Sequence, residues 1–313
     1  MKLFSYKTEK DCYGIGIDVQ GICYDFSGAF ELFQKSIGSR ESVSIQFLQV
    51  LIEMGYTHAD LVGRVMSDPW IQAKLESLKL NEFTFQPPVS RPGKIIGIGR
   101  NYVAHAKEMD HAVPEEPLFF SKAPSSVTAP GSPIIIPSWF KGRVDHEAEL
   151  AVVIGKEGRY IAAGNAYDHI AGFTIVNDVT ARSMQKADMG KKHPWFRSKS
   201  LDTFCPMGPY LMPVGGLPDP HALAIELSVN GETRQKAKTS DMIFKIPDLI
   251  AYISRFMTLS PGDIIATGTP EGVSPLKPGD EVEITISELG TLKNPVLAEA
   301  DLHPGEPENN TDD

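Results

Sequence analysis

Two glutamates, Glu147 and Glu149, stand two residues apart in VDHEAELAVVIGK, at the mouth of a run that otherwise reads as a buried strand. Side chains alternate across a strand, so these two share a face about 7 Å apart. Carboxylates at that spacing repel by roughly 2.4 kcal/mol at an effective dielectric of ~20, before either is desolvated. Something positive belongs between them: a lysine, an arginine, a metal ion, or at the least water. A third acid, Asp178, follows Asn177 at the end of the apolar run in FTIVNDVTAR. One such aspartate is commonly a helix cap or turn former. Three acids at buried strand ends, with no imidazole or thiolate beside them, suit a hard divalent cation, Mg²⁺ or Mn²⁺, that keeps waters or a chelating substrate. The competing account is a set of salt bridges to Arg143 or Arg182, because buried acids are generally paired.

Other residues could act beside such a cluster. NYVAHAKEM places His105 and Glu108 three apart, on one face if the segment is helical. A surface turn explains such a pair, but a histidine with a carboxylate in reach is also an oriented base working near neutral pH. Lys199, in PWFRSKSLDTFCPMGP, is set among aromatic, Pro and Gly residues rather than on a helix surface, where it could balance a developing negative charge. ATGTPEGV is either an ordinary turn or a loop whose Gly268, Thr269 and Gly272 offer N–H groups and a hydroxyl to a carboxylate. GIGRNY lacks the third glycine and the βαβ unit of a dinucleotide site, and no P-loop or G-x-S-x-G motif occurs.

These residues need a scaffold of strands. KIIGIGR, LFFSKA, SPIIIP, ELAVVIGK, AGFTIVNDV, LAIELSVNGE, DIIATG and DEVEITI are short, rich in β-branched residues and bounded by Gly, Pro or Asp. Helices interrupt them without alternating regularly. PDLIAYISRFM is the clearest, with Leu249, Ile250, Ile253, Phe256 and Met257 on one face. The pattern predicts an α+β, β-rich domain of mixed sheets rather than a doubly wound one. FQPPVSRPGK, with its prolines, marks a boundary, so we expect a small N-terminal α/β domain over 1–86, a catalytic domain over 87–300 and a disordered acidic tail over 301–313. In the first of these, SVSIQFLQVLIEM places Ile45, Leu48, Leu51 and Ile52 on one helical face, and a scaffold or lid-support role is expected of the domain. The net charge of −10 argues against a nucleic-acid partner, and the apolar runs are far too short to span a membrane. Three cysteines without C-x-x-C spacing signal neither a disulfide framework nor a zinc site, and a cytoplasmic protein is expected.

In order along residues 93 to 298, GRNYVAHAKEM, DHEAELAVVIGK, NDVTARSMQ, SKSLDTFCPMGP, VNGETRQ, SDMIF and GDIIATGTPEGV resemble the fumarylacetoacetate hydrolase superfamily, in particular its acylpyruvate hydrolase and oxaloacetate decarboxylase branch. That resemblance implies a mixed β-sandwich roll and a homodimer. It implies that Glu147, Glu149 and Asp178 ligate Mg²⁺ or Mn²⁺, that His105 and Glu108 form a base dyad on a lid, and that Lys199, Arg182, Gln185 and Thr269 face the ligand. The upstream aspartate ligand of fumarylacetoacetate hydrolase itself has no counterpart here, so fumarylacetoacetate is a poor substrate expectation. The expected reaction is metal-dependent cleavage of the bond between carbons 3 and 4 of a small 2-oxo carboxylate through a pyruvate enolate: hydrolysis of an acylpyruvate, decarboxylation of oxaloacetate, or both. The alternatives are isomerisation or tautomerisation of a 2-oxo or 2-hydroxy-dienoic diacid on the same site, and a non-catalytic, metal-stabilised regulatory protein that would need the ligands but not His105, Glu108 or Lys199.

Overall fold

Every residue of the run AELAVVI, strand Ala148–Ile154, is buried, and the computed structural model, which describes residues 1–39, 43–104 and 114–302, shows why. The strand lies inside a six-stranded sheet, flanked by Ile170–Asn177 on one side and Ile264–Ala266 on the other; Ile95–Gly99, Leu118–Lys122 and Met212–Pro213 complete it. Leu150 and Val152, with Phe173 and Ile175 from the neighbouring strand, face Ile225, Leu227, Ile284 and Ile286 of a second, five-stranded sheet. Ala151, Val153, Ala171 and Ile264 face the other way and pack with Leu3, Ile15 and Ile17 of the N-terminal part. A strand covered on both faces has no use for the polar half of an alternating pattern. The same alternation puts Glu149 on the face of Ala151 and Val153.

Most pairings are antiparallel, but Ile264–Ala266 runs parallel to Ile95–Gly99 and Gly290–Ala298 parallel to Ile134–Ile136, so both large sheets are mixed. The fold is α+β and β-rich, as the strand runs predict. Residues 2–86 form a separate antiparallel sheet in the order Ile22–Asp25, Tyr13–Val19, Lys2–Lys7, Thr84–Gln86, with helices such as Phe26–Ser36 and Ala59–Ser67 beside it. It is tied to the rest by reciprocal backbone bonds between Leu3 and Leu211 (3.0 and 2.7 Å) and by Ala59 N–H donating to Val214 O at 3.1 Å. A division after residue 86 remains our proposal. The expected disordered tail lies outside the described residues beyond Leu302; Asp301 closes a short turn, Glu299–Asp301.

Local expectations fail where periodicity outruns the helix. The helix in PDLIAYISRFM covers Ile246–Ile253 and ends at Ser254, leaving Phe256 56 % exposed against Phe119 and Tyr252. Ile45 is buried but not helical; the following helix is Leu48–Glu53, and the Ile45 carbonyl instead accepts from the Ser27 hydroxyl at 2.7 Å. Two strands of the five-stranded sheet fall almost entirely outside the expected runs. Glu232–Lys238 is a mostly exposed edge strand, entered through the positive-φ pair Asn230–Gly231, and Gly290–Ala298 contains Pro295. Among the described residues no helix is long and apolar enough to cross a membrane, and all three cysteines are unpaired.

Candidate active site

Antiparallel pairing of Ala148 with Asn177 brings Glu147 beside Asp178 across a separation of about thirty residues. The strand ends are clamped: Asp178 N–H donates to Glu147 O at 2.9 Å, and Asn177 Oδ1 accepts from Glu147 N–H at 2.9 Å. Glu147, Glu149 and Asp178 each place a carboxylate oxygen within 4.8 Å of the other two, and all three residues are buried. Charges that close repel by at least about 3.5 kcal/mol per pair at an effective dielectric of ~20.

Three cations answer part of that charge. Lys199 Nζ sits 2.7 Å from Glu147 Oε2 and 2.6 Å from Asp178 Oδ2. Burial alone would lower its pKa, but Asp178 and Glu147 outweigh it and hold the ammonium above its ordinary value. Lys122 Nζ lies 2.8 Å from Asp178 Oδ1, near enough for an ion pair but off line for a hydrogen bond, and donates to the carbonyls of Lys199 and Val179. Arg182 donates to Glu147 Oε1 through Nη2, to Asp145 Oδ2 through Nε at 2.8 Å and to Gln185 Oε1 through Nη1 at 2.6 Å. Glu149 is left with one donor among the described residues, Gly268 N–H at 2.7 Å. Its carboxyl is pushed well above the usual range by burial, then by Asp178 and Glu147, which Lys199 and the Gly268 N–H offset only in part. Gly268 has a φ of +98°, and a Cβ there would stand 2.7 Å from the Asn101 Cβ, so glycine alone can turn that N–H onto Glu149 without strain.

A divalent cation fits this donor set. Oxygens sharing one Mg²⁺ at 2.0–2.1 Å lie about 3 to 4 Å apart, a modest contraction from what the three carboxylates show. Glu149, without a cation partner among the described residues, is the ligand with most to gain. The carboxylates therefore form a divalent-metal site, and the salt-bridge account holds beside it: Arg182 does pair with Glu147, whereas Arg143 pairs with Asp145 at 2.5 Å.

The other expected residues fall out unevenly. Lys199 stands at the cluster, pairing with two of its carboxylates. Arg182 and Gln185 are adjacent and bonded to each other, and Arg182 spends three N–H groups on protein oxygens. Thr269 is 3 % exposed and accepts from Gln235 Nε2 at 2.8 Å. His105 and Glu108 lie outside the described residues. Lys122 escaped the sequence reading, because a lysine closing the strand LFFSK reads locally as a solvated strand end.

A family model for the C-terminal domain of fumarylacetoacetate (FAA) hydrolase matches residues 94–297, and the chain belongs to that family. It is 47% identical over 234 residues to a mitochondrial oxaloacetate tautomerase of Homo sapiens, covering 72% of this chain and 74% of that protein. Among solved structures, a fumarylacetoacetate hydrolase from the psychrophile Exiguobacterium antarcticum superposes with a TM-score of 0.79 at 34% identity, over 95% of this chain and 99% of that one. A maleylpyruvate hydrolase from Sphingobium sp. SYK-6, in complex with manganese(II) and pyruvate, gives 0.73 at 31% identity, over 95% and 99%. The resemblance stated from the motifs is thus the family found, and the small N-terminal domain is shared along the aligned structures.

Proposed function

We propose that this chain enolises a small 2-oxo dicarboxylate, with oxaloacetate the first substrate to test, using Mg²⁺ or Mn²⁺ held by Glu147, Glu149 and Asp178. The observation that supports this best is Lys199, a buried ammonium set between two of the three ligands with no oxygen partner for its third N–H among the described residues. The divalent ion, when bound, supplies Lewis-acid polarisation of a 2-keto oxygen. Lys199 adds a fixed positive charge where negative charge grows as the enolate forms. Arg182 holds Glu147 in place and Lys122 holds Asp178, so neither ligand must reorganise. Thr269 and Gln185 offer donors to the substrate carboxylates, and His105 with Glu108 moves the carbon 3 proton. The identity to a tautomerase favours return of that proton as the outcome.

A second reading, favoured by the likeness to a hydrolase solved with manganese and pyruvate, is cleavage between carbons 3 and 4. Water activated by His105 and Glu108 then attacks a carbon 4 ketone, or CO₂ leaves from a carbon 4 carboxylate without water. Proton NMR in D₂O with Mg²⁺ separates these. Tautomerisation accelerates deuterium entry at carbon 3 of oxaloacetate with no extra pyruvate, while cleavage yields pyruvate from oxaloacetate, acetylpyruvate or fumarylpyruvate. Rates equal to the protein-free control on all three would end the proposal.

The dyad's part is tested separately. His105→Ala or Glu108→Ala should cut turnover about 10²- to 10⁴-fold, as loss of a general base does, with Mn²⁺ affinity near that of the unsubstituted protein. Any hydrolysis should suffer more than decarboxylation. Equal losses on acetylpyruvate and oxaloacetate would show that the pair does not serve to activate water.

A further inference from the structure

Gln235 is 1 % exposed on an edge strand, Glu232–Lys238, whose other residues are all exposed or half-buried. Its amide uses its full capacity of two acceptor and two donor positions. Oε1 accepts from Ala148 N–H at 3.0 Å and faces His146 Nδ1 at 3.2 Å; Nε2 donates to Pro270 O and to Thr269 Oγ1, both at 2.8 Å. A backbone N–H can only donate and a proline carbonyl can only accept, so the amide cannot be turned over. Two consequences are forced. His146 Nδ1 must carry a hydrogen to meet Oε1, which leaves Nε2 of the neutral ring to accept from Ser274 Oγ at 2.8 Å. Thr269 Oγ1 must accept from Gln235, so its own proton points elsewhere, and no described residue accepts it.

The geometry points to a one-way hydrogen-bond relay, Ser274 to His146 to Gln235 to Thr269, that leaves the Thr269 hydroxyl hydrogen free to donate and so favours a ligand presenting an acceptor there, a carboxylate oxygen above all, over one presenting only an N–H. His146, Gln235 and Ser274 are positioning residues in this scheme. The inference deepens the 2-oxo acid reading above and rests on it for the ligand. Thr269 follows Gly268, whose N–H holds Glu149, so the unspent donor stands next in the chain to a residue that touches the ion cluster. A buried donor with no acceptor favours whichever ligand supplies one.

Gln235→Glu tests the direction of the relay, because a carboxylate would accept from Thr269 and turn its proton away from the site. Loss of a hydrogen bond to a charged group corresponds to about 10- to 100-fold. We expect Gln235→Glu and Thr269→Val each to raise the KM for oxaloacetate by about that factor, with kcat within a few-fold and the Mg²⁺-induced melting shift unchanged. In the Thr269→Val background, Gln235→Glu should add less than about 2-fold. Additive costs would overturn the relay, since a charge or packing effect does not depend on the Thr269 hydroxyl. A substrate-free check on the unaltered protein is the ¹⁵N spectrum of the His146 ring, which must show a protonated Nδ1; a bare Nδ1 overturns the relay even if the variants do not fold. A protonated Nδ1 in a protein that turns over no 2-oxo acid would sink the functional reading and leave the relay standing.

Discussion

Lys199→Met should damage the protein twice, in ways that separate. Removing one partner of a buried ion pair strands the other charge, at a cost of about 3–5 kcal/mol. Here the stranded groups are Glu147 and Asp178, which would face each other and Glu149 across less than 5 Å, with Arg182 still paired to the first and Lys122 to the second. The EDTA-treated variant should therefore melt well below the unsubstituted protein. A divalent ion brings its own positive charge to the same oxygens and should recover much of that loss. Turnover should not recover: an interaction stronger in the transition state than in the ground state typically contributes about 10²- to 10³-fold, so kcat is expected to remain at least ~10²-fold down with Mg²⁺ saturating. If Lys199 only balances charge, the Mg²⁺-loaded variant will run within a few-fold of normal, and the role assigned to it fails. Methionine keeps the stem's bulk, which isolates the charge from packing.

Glu149→Ala is expected to give the opposite pattern. Glu149 is buried, repelled by two neighbours and met by one backbone N–H, so its carboxyl contributes little to the EDTA-treated fold. The variant should melt no lower than the unsubstituted protein in EDTA, even allowing about 1 kcal/mol for the hydrogen bond to Gly268. What it should lose is the response to ions. Binding only to the folded state stabilises by about 2.7 kcal/mol at a hundredfold excess over Kd, and that shift should vanish along with turnover. A melting shift of normal size with Mn²⁺ in Glu149→Ala, or full activity of the unsubstituted protein in EDTA, would remove the three-carboxylate site from consideration.

The acids were legible before the structure because a charge inside an apolar strand is costly and calls for an explanation. Glu147, Glu149 and Asp178 carry that signal alone, and the strand runs that hold them are where their composition places them. Lys122 and Gln235 were not legible. A lysine at a strand end and a glutamine in ETRQKAK read locally as solvated residues, and only the pairing of distant strands reveals that both are buried. The helical period around Ile45 misled for a related reason: burial can be met from an extended segment, and four apolar residues at helical spacing do not say which.

The ladder that pairs Ala148 with Asn177 and Glu149 with Val176 has a consequence for assembly of the molecule. A slip of one residue would exchange the two faces of the strand, sending Glu149 toward the sandwich interior and Leu150 toward the ion cluster. Neither face could be solvated, so no half-correct version of this hairpin is tolerated. During refolding, recovery of secondary structure counts every molecule that has made a sheet, whereas recovery of ion binding counts only those whose strands have met in register. The difference between the two curves measures how often the chain misaligns.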